Sequence, residues 1–399
     1  MDRVILVRYG EIVLKGLNRP IFEEKLMSNI RRALEGGHDF TFKKLQARII
    51  LEPKHQDVDI ERTVEILRKI FGIVSLSIVY KVSSDLESIK SQALIVVGEL
   101  MEQRNFKTFK VETKREDKRF PLKSPFISAE VGGSILDEFP HLKVDVKTPE
   151  FTVFVEVREN SYVFSEKILG YGGLPVGTNA KAMLLLSGGI DSPVAGWMVS
   201  KRGVDLEAIH FYSYPYTSER AKDKVIELAR IVSQSCFSIK LHIVPFTDIQ
   251  IQIRDNCPED ELTIIMRRVM MRIAEKLASE NNCLALITGE CIGQVASQTL
   301  LSLVCTDEVV SMPVFRPLIG MDKEEVIIYA RKIDTFETSI LPYEDCCTIF
   351  VAKHPKTKPL IEDIKRSELH LDIEKLIENA IINREIIMLR NGKVHNNNE

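Results

Sequence analysis

Ala182-Met183-Leu184-Leu185-Leu186-Ser187-Gly188-Gly189-Ile190-Asp191-Ser192-Pro193 runs from an apolar strand through a glycine pair into residues that start helices. The near-continuous apolar run reads as a strand buried on both faces, the kind found in parallel sheets. Gly188 and Gly189 let the backbone take positive φ and bring amide groups close to an anion. Ser192 suits the cap and Pro193 the first helical position, so the helix is expected to present free N–H groups to phosphate. In open parallel sheets ligands collect at the carboxyl ends of the strands, where this loop lies. The loop lacks the Lys-Ser/Thr ending of the common nucleotide P-loop. Asp191 is repelled by phosphate unless a divalent cation bridges them, which implies Mg²⁺. A bare strand-to-helix turn would need only the glycines.

Outward from this loop, strands at 182–186, 204–211, 240–246 and 283–288 alternate with helices at 193–202, 218–235, 260–281 and 293–303. The pattern predicts an α/β domain with a parallel sheet and helices on both faces. A helical stretch at 372–390 closes the chain before a polar tail. Upstream the rhythm is shorter. Val4–Val7 reads as a strand, 20–35 as a helix ending at Gly36-Gly37, and 40–51, 58–71 and 73–82 as strand, helix, strand. This suits a small ferredoxin-like α+β unit. A second unit follows, with helix 85–103, strand 106–112, a basic loop, helix 126–138 and strands near 143–147, 151–158 and 161–165. Four glycines and a proline between Leu169 and Gly177 read as a linker.

The 399 residues are 45% hydrophobic and 28% charged, with a net charge of -3, ordinary for a folded, non-membrane chain. No apolar run approaches the roughly 18 residues of a membrane span, and the start shows no secretory signal. Positive charge is local: Arg104–Lys123 holds eight Lys and Arg against three acids, interleaved with Phe106, Phe109 and Phe120. A solvated loop is the plain reading of such a segment; phosphate contact is the functional one. All seven cysteines lie beyond residue 235, an odd number without a CxxC pair. Reduced thiols in a cytoplasmic protein are expected, with no compact cysteine-based metal site.

Three further segments narrow the reading. They are Arg8-Tyr9-Gly10-Glu11-Ile12-Val13-Leu14-Lys15-Gly16-Leu17-Asn18-Arg19 near the start and Asp345-Cys346-Cys347 near the end. Between them lie Met266-Arg267-Arg268, Thr288–Thr299 and Arg316–Lys323. The 187–193 heptad resembles the signature of the PP-loop ATP pyrophosphatases. With the other segments in this order, the whole chain resembles the tRNA 4-thiouridine synthetase (tRNA sulfurtransferase) family. The resemblance implies a ferredoxin-like domain at 1–61, a THUMP RNA-binding domain at 62–167, a linker at 168–177 and a PP-loop catalytic domain at 178–399. It implies ATP-dependent transfer of sulfur to uridine 8 of tRNA through an adenylated uridine, with sulfur arriving as a cysteine persulfide.

Residue by residue, the match puts ATP contacts on Leu185, Leu186, His210, Phe211, Arg267, Gly289 and Gln298, beside Ser187, Gly188, Gly189, Asp191 and Ser192 of the loop. Asp191 and Lys323 match residues required for activity, and Cys346 the sulfur-handling cysteine. Lys353, Lys356 and Lys358 are expected to favour its thiolate. Alone, Arg267 reads as a solvated helix residue, Lys323 as a charged helix start and His210 as a core histidine. Within a THUMP-like region, Lys110, Lys114, Arg115, Lys118 and Arg119 become candidate RNA contacts. The chain stops without the rhodanese-like domain of longer relatives, so direct charging of Cys346 by a cysteine desulfurase is expected. Cys347 or an external thiol would then resolve the product. The remaining expectations are a homodimer and a further role handing sulfur to the carrier protein of thiazole synthesis for thiamine. Another PP-loop adenylating tRNA-modifying enzyme or ligase is the alternative.

Overall fold

Val4, Ile5, Leu6 and Val7 are all buried, so strand β1 (Asp2–Tyr9) must be covered on both faces and sits inside a sheet rather than at its edge. The computed structural model describes residues 2–45, 47–343, 350, 352 and 354–395. The chain divides into two units, one of residues 1–23 and 27–173, the other of 24–26 and 174–399.

In the first unit β1 leads into α1 (Arg19–Ala33), β2 (Phe40–Leu45), β3 (Arg48–Pro53), α2 (Ile60–Leu67) and β4 (Ile73–Ser83). Then come α3 (Leu86–Gln103), β5 (Thr108–Arg115), α4 (Ser124–Glu138), β6 (Lys143–Val144), β7 (Phe151–Val157), β8 (Asn160–Phe164) and β9 (Ile168–Leu169). All nine strands share one sheet, in the order β2-β3-β1-β4-β8-β7-β5-β6, with β9 beside β4. The stretch 40–51, expected as one strand, is a hairpin of β2 and β3; Ala47 takes φ 60 where the chain reverses. Helices α3 and α4 pack Ile89, Val96, Ile127 and Val131 onto Phe109, Val153 and Val155. The opposite face carries a smaller cluster of Val4, Leu6, Ile50, Val79, Tyr162 and Phe164. Arg48 on β3 hydrogen-bonds Glu156 on β7, four strands away. In a flat sheet those strands would lie about 19 Å apart, so this sheet curls toward that face. Of the stretch read as a linker, Ile168–Leu169 pairs with β4 and the Gly72 N–H donates to the Gly172 carbonyl (2.8 Å).

The second unit follows the α/β pattern. Its elements are β10 (Lys181–Leu185), α5 (Asp191–Ser200), β11 (Asp205–Tyr212), α6 (Glu219–Cys236), β12 (Ser238–Pro245), α7 (Thr247–Asn256), α8 (Leu262–Glu280) and β13 (Cys283–Ile287). After these come α9 (Leu300–Asp307), β14 (Val314–Phe315), α10 (Lys323–Lys332), α11 (Phe336–Ser339), α12 (Ile361–Glu368), α13 (Ile373–Ile382), β15 (Glu385–Arg390) and β16 (Lys393–His395). The sheet order is β14-β13-β10-β11-β12-β15-β16, parallel from β14 to β12. Met183 of β10 faces α7, α8 and α13. Leu184 faces the other way, onto α5, where a Cβ on Gly196 would come within 2.5 Å of its side chain.

Two expectations change here. The helix expected over 372–390 stops at Ile382, and Ile386–Leu389 instead pair antiparallel with β12. A short apolar run has no period of its own, and the free edge of β12 decides it. Asn391-Gly392, both at positive φ (48 and 74), then turn the chain into β16, a hairpin signal present in the sequence. The helix expected over 293–303 is a loop with one 3-10 turn, and α9 starts only after Thr299, whose hydroxyl caps Ser302 N–H (3.2 Å).

Candidate active site

Strand β10 ends at Leu185, and the chain turns through Ser187-Gly188-Gly189 into α5. The loop is tied to itself. The Ser187 N–H donates to Ser192 Oγ (2.9 Å), and the Gly189 N–H to Ser187 Oγ (3.2 Å). Ser192 is therefore not the helix cap, as its sequence position predicts. Ile190 holds the cap position without a side-chain bond, and Pro193 is the third helical residue. The hydroxyl closes the loop instead, which leaves the first-turn amides of α5 without a side-chain acceptor from the cap. Such amides are the natural partners of an anion.

These residues form one wall of a cavity of about 520 Å³ at the carboxyl end of the parallel strands. Leu185, Leu186, Ser187, Gly189, Asp191, Ser192, His210, Phe211, Arg267, Gly289 and Gln298 all line it; of the expected nucleotide set only Gly188 does not. His210 is buried, and its Nδ1 lies 3.0 Å from the Leu186 carbonyl oxygen. That contact puts the ring proton on Nδ1 and makes His210 a clamp between β10 and β11. Gln298 accepts the Cys291 N–H (3.4 Å) and so holds the 289–299 loop in shape.

Gly289 permits a close approach. A Cβ there would lie 2.7 Å from Ser192 N and 2.8 Å from Asp191 C, both backbone atoms that cannot swing away. Gly289→Ala is expected to push the start of α5 off the β13 end. The expected cost is roughly 1–3 kcal/mol of stability and a larger proportional loss of nucleotide affinity. Thermal unfolding and an ATP-binding titration check this; an alanine variant with unchanged affinity would contradict it.

The adjacent arginines on α8 part company because successive helical residues point about 100° apart. Arg267 faces the cavity and ion-pairs with Glu290, while Arg268 is buried at 1% exposure beneath it. Glu290 is buried and also accepts from Arg316 Nε (2.7 Å) and Thr288 Oγ1 (2.8 Å). It holds Arg267 at the rim. In the sequence, the Thr288-Gly289-Glu290 segment does not mark Glu290 for this role. The apolar wall, Met266, Met270 and Met271 with Thr263, was also missed; methionines at 266 and 270 are one helical turn apart on α8.

Lys323 opens α10, which Asp322 and Glu325 start with a reciprocal capping box. Its Nζ reaches Asp191 Oδ1 (2.7 Å), while Gln294 Nε2 donates to Asp191 Oδ2 (2.9 Å). Residues 132 apart in sequence thus meet at the start of α5. Cys291 is close by, but burial and the Asp191 charge push its thiol up, which suits packing and not nucleophilic attack.

Cys346, Cys347 and Lys353 lie outside the described residues. Lys356 was expected to favour the Cys346 thiolate, yet its ammonium is bound to buried Glu261 (2.7 Å). Lys358 is exposed. In the basic segment, Lys110 pairs with Glu112, Lys114 with Glu116 (3.1 Å each) and Arg119 with Asp117 (2.8 Å). Arg115 donates to the Phe120 and Leu122 carbonyls (3.1 and 3.2 Å) and shapes the loop. Lys118 is exposed. Among the described residues no group of three or more His, Cys, Asp or Glu could hold a metal, and no helix is long and apolar enough to cross a membrane.

Comparison with known proteins agrees with this architecture. The family profile described as Thiamine biosynthesis protein (ThiI) matches residues 177–373, the ThiI ferredoxin-like domain 4–77 and the THUMP domain 83–165. A protein of Acetivibrio thermocellus named "Probable tRNA sulfurtransferase" is 61% identical over 98% of this chain and 99% of its own. One of the same name from Alkaliphilus metalliredigens is 53% identical over 97% and 98%. The crystal structure of a 4-thiouridine synthetase–RNA complex with bound ATP is 42% identical, with a TM-score of 0.90 over 98% of this chain and 100% of that one. A structure from Pyrococcus horikoshii is 26% identical, with a TM-score of 0.62 over 83% of this chain and 99% of that one. Ferredoxin-like, THUMP and PP-loop domains succeed one another along the sequence, and the chain belongs to the tRNA sulfurtransferase (ThiI) family.

Proposed function

We propose that the protein is an ATP-dependent tRNA sulfurtransferase that converts uridine 8 to 4-thiouridine in the cytoplasm. The observation that carries this reading is the meeting of the Ser187–Ser192 loop, the Asp191–Lys323 pair and Arg267 at one cavity. ATP enters across the strand ends, its adenosine against the β10 and β11 ends and the Met266–Met271 wall and its pyrophosphate on the loop amides. Leu185, Leu186, His210, Phe211, Gly289 and Gln298 complete the contact set.

Uridine O4 attacks the α-phosphate and pyrophosphate leaves, so a poor oxygen leaving group becomes a good phosphate one. Lys323 neutralises charge that builds on the phosphate during this displacement. Asp191 fits Mg²⁺ as its one protein carboxylate, since Mg²⁺ keeps waters and substrate phosphates as its other ligands; bound there, the ion would screen phosphate charge. The terminal sulfur of a persulfide on Cys346 then attacks C4 and AMP departs. A second thiol, from Cys347 or a small molecule, breaks the S–S bond and leaves the thiocarbonyl on the base and a disulfide on the protein. A cysteine desulfurase supplies the persulfide. The same carrier chemistry extends to the sulfur-carrier protein of thiazole synthesis, and a homodimer is the proposed working form. On the RNA side, Lys110, Lys114, Lys118 and Arg119 meet phosphates, with Arg115 shaping the loop.

The test is a reaction of purified protein with tRNA, ATP and a desulfurase, reading AMP, pyrophosphate and 4-thiouridine together. Equal amounts of all three are expected, and tRNA that stays unmodified while ATP is consumed with ammonia would favour the ligase alternative. Cys346→Ser is expected to drop thiolation to background while tRNA-dependent pyrophosphate release persists. Full thiolation by that variant would end the role given to Cys346.

A further inference from the structure

The curled face of the first unit carries more cations than its carboxylates can pair. Arg8 and Arg48 are direct partners across β1 and β3. The Arg48 guanidinium meets Glu156, which lies 3.9 Å from Arg158 Nε, and Arg158 Nη1 meets Glu116 at 2.6 Å. Glu116 is already shared with Lys114 (3.1 Å). Lys167 lies near the same side, its ammonium 3.7 Å above the Phe154 ring, and Arg8 sits 5.0 Å above Phe164. With Lys114, five cations therefore gather around two carboxylates, and only Arg48, Arg158 and Lys114 are paired with them. Glu112, the next along, is taken by Lys110 (3.1 Å).

The guanidinium groups are also under-used. Arg8 Nη1 donates to Ser77 Oγ (2.9 Å), yet Arg8 Nη2 and Arg158 Nη2 are buried with no hydrogen-bond partner among the described residues. Buried donors left unpaired are destabilising, and like charges held together add to that cost. Burial and the Arg48 charge lower Arg8 to about 10, and burial with Arg8 lowers Lys167. A fold tolerates such an arrangement where an anion completes it.

We propose that Arg8, Arg48, Arg158 and Lys167 form a binding site for a phosphate group, supplied by the RNA strand or by free phosphate. The RNA source rests on the function proposed above. The contact is to phosphate and not to a base. Phe154 and Phe164 stack on each other at 5.1 Å, and each ring has a face covered by a cation, so no open platform is left for a base. Guanidinium forks match phosphate oxygens in pairs, and the partly exposed Arg48 and Arg158 (13% and 14%) with exposed Lys167 give the anion its approach.

Full-length Lys167→Met and Arg158→Gln proteins test the site, with Lys167→Arg as the rescue. The readouts are tRNA affinity against salt and thermal unfolding in phosphate or chloride at equal ionic strength. For an RNA phosphate, each loss should weaken tRNA binding uniformly across sequences and reduce the salt slope by about 1, with Lys167→Arg restoring it. For free phosphate, tRNA affinity should hold, while phosphate stabilises the parent protein and not the variants. Variants that match the parent in both readouts would overturn the site, as would a loss confined to particular base sequences. Parent protein that neither binds tRNA nor releases AMP would sink the proposed function, and the phosphate arm would still judge the site.

Discussion

Asp191→Asn is expected to lower tRNA-dependent pyrophosphate release by about 10²–10³-fold, the effect of removing one preorganised electrostatic partner. The carboxylate is gripped from two sides, by Lys323 and Gln294, at the start of α5, where the proposed function puts the phosphate charge. An amide keeps the shape and loses the charge, so neither the lysine nor a bridging cation is held as before. Stability should change little. The Asp191 and Lys323 side chains are 20% and 42% exposed, and an ion pair in that setting contributes roughly 0–1 kcal/mol. Lys323→Met should fall by a similar factor, and the double variant should be no worse than the poorer single one, because the pair acts as a unit. Stopped-time pyrophosphate assays with a matched unfolding curve decide the matter. An asparagine variant turning over near the parent rate would remove Asp191 from the chemistry.

Arg268→Met is expected to destabilise the protein by roughly 3–5 kcal/mol, the cost of stranding a buried ion without its main partner. Arg268 donates Nε and Nη2 to Glu368 (2.8 and 3.0 Å), Nη1 to the Cys305 carbonyl (2.5 Å), and reaches Glu308 (3.1 Å). Its neighbour Arg272 holds the same Glu368 carboxylate but from a half-exposed position and without the link to α9. Burial alone would raise the Glu368 carboxyl; the Arg272 and Arg268 guanidiniums outweigh it and hold the group below its ordinary value. A carboxyl lowered by folding stabilises the native state above its unfolded pKa and loses that contribution as pH falls through its folded value. With Arg268 gone the carboxyl rises. The gap between parent and variant should therefore be widest near neutrality and narrow in acid. Urea unfolding at several pH values measures this, and a change below about 1 kcal/mol, the scale of a surface pair, would show that Arg268 is not the anchor described.

Arg267 and Arg268 show how far the sequence could be read. Both sit in one triplet, Met266-Arg267-Arg268, and the family resemblance points to the one that faces the cavity. Nothing local marks Arg268 as a buried anchor, because its partner Glu368 lies 100 residues on. A still longer separation, 132 residues from Asp191, hides the role of Lys323. A lysine after a helix-capping aspartate is an ordinary helix start until α10 is packed beside α5. Glu290 was visible as a residue and not as a positioning group, since its role needs Arg267 and Arg316 brought in from α8 and from the chain beyond β14.

What the sequence determined by itself was local: the apolar run ending in two glycines, the helix after it, the alternation of strands and helices, and the clustered basic charge. Each is specified within a few residues by backbone conformation, side-chain period and charge. The tertiary structure alone decided which edge captured Ile386–Leu389, how the first sheet curls to bring Arg48 to Glu156, and which cations end up paired. Those outcomes depend on sheet edges, burial and long-range ion pairing, terms that exist only once distant segments exclude water between them.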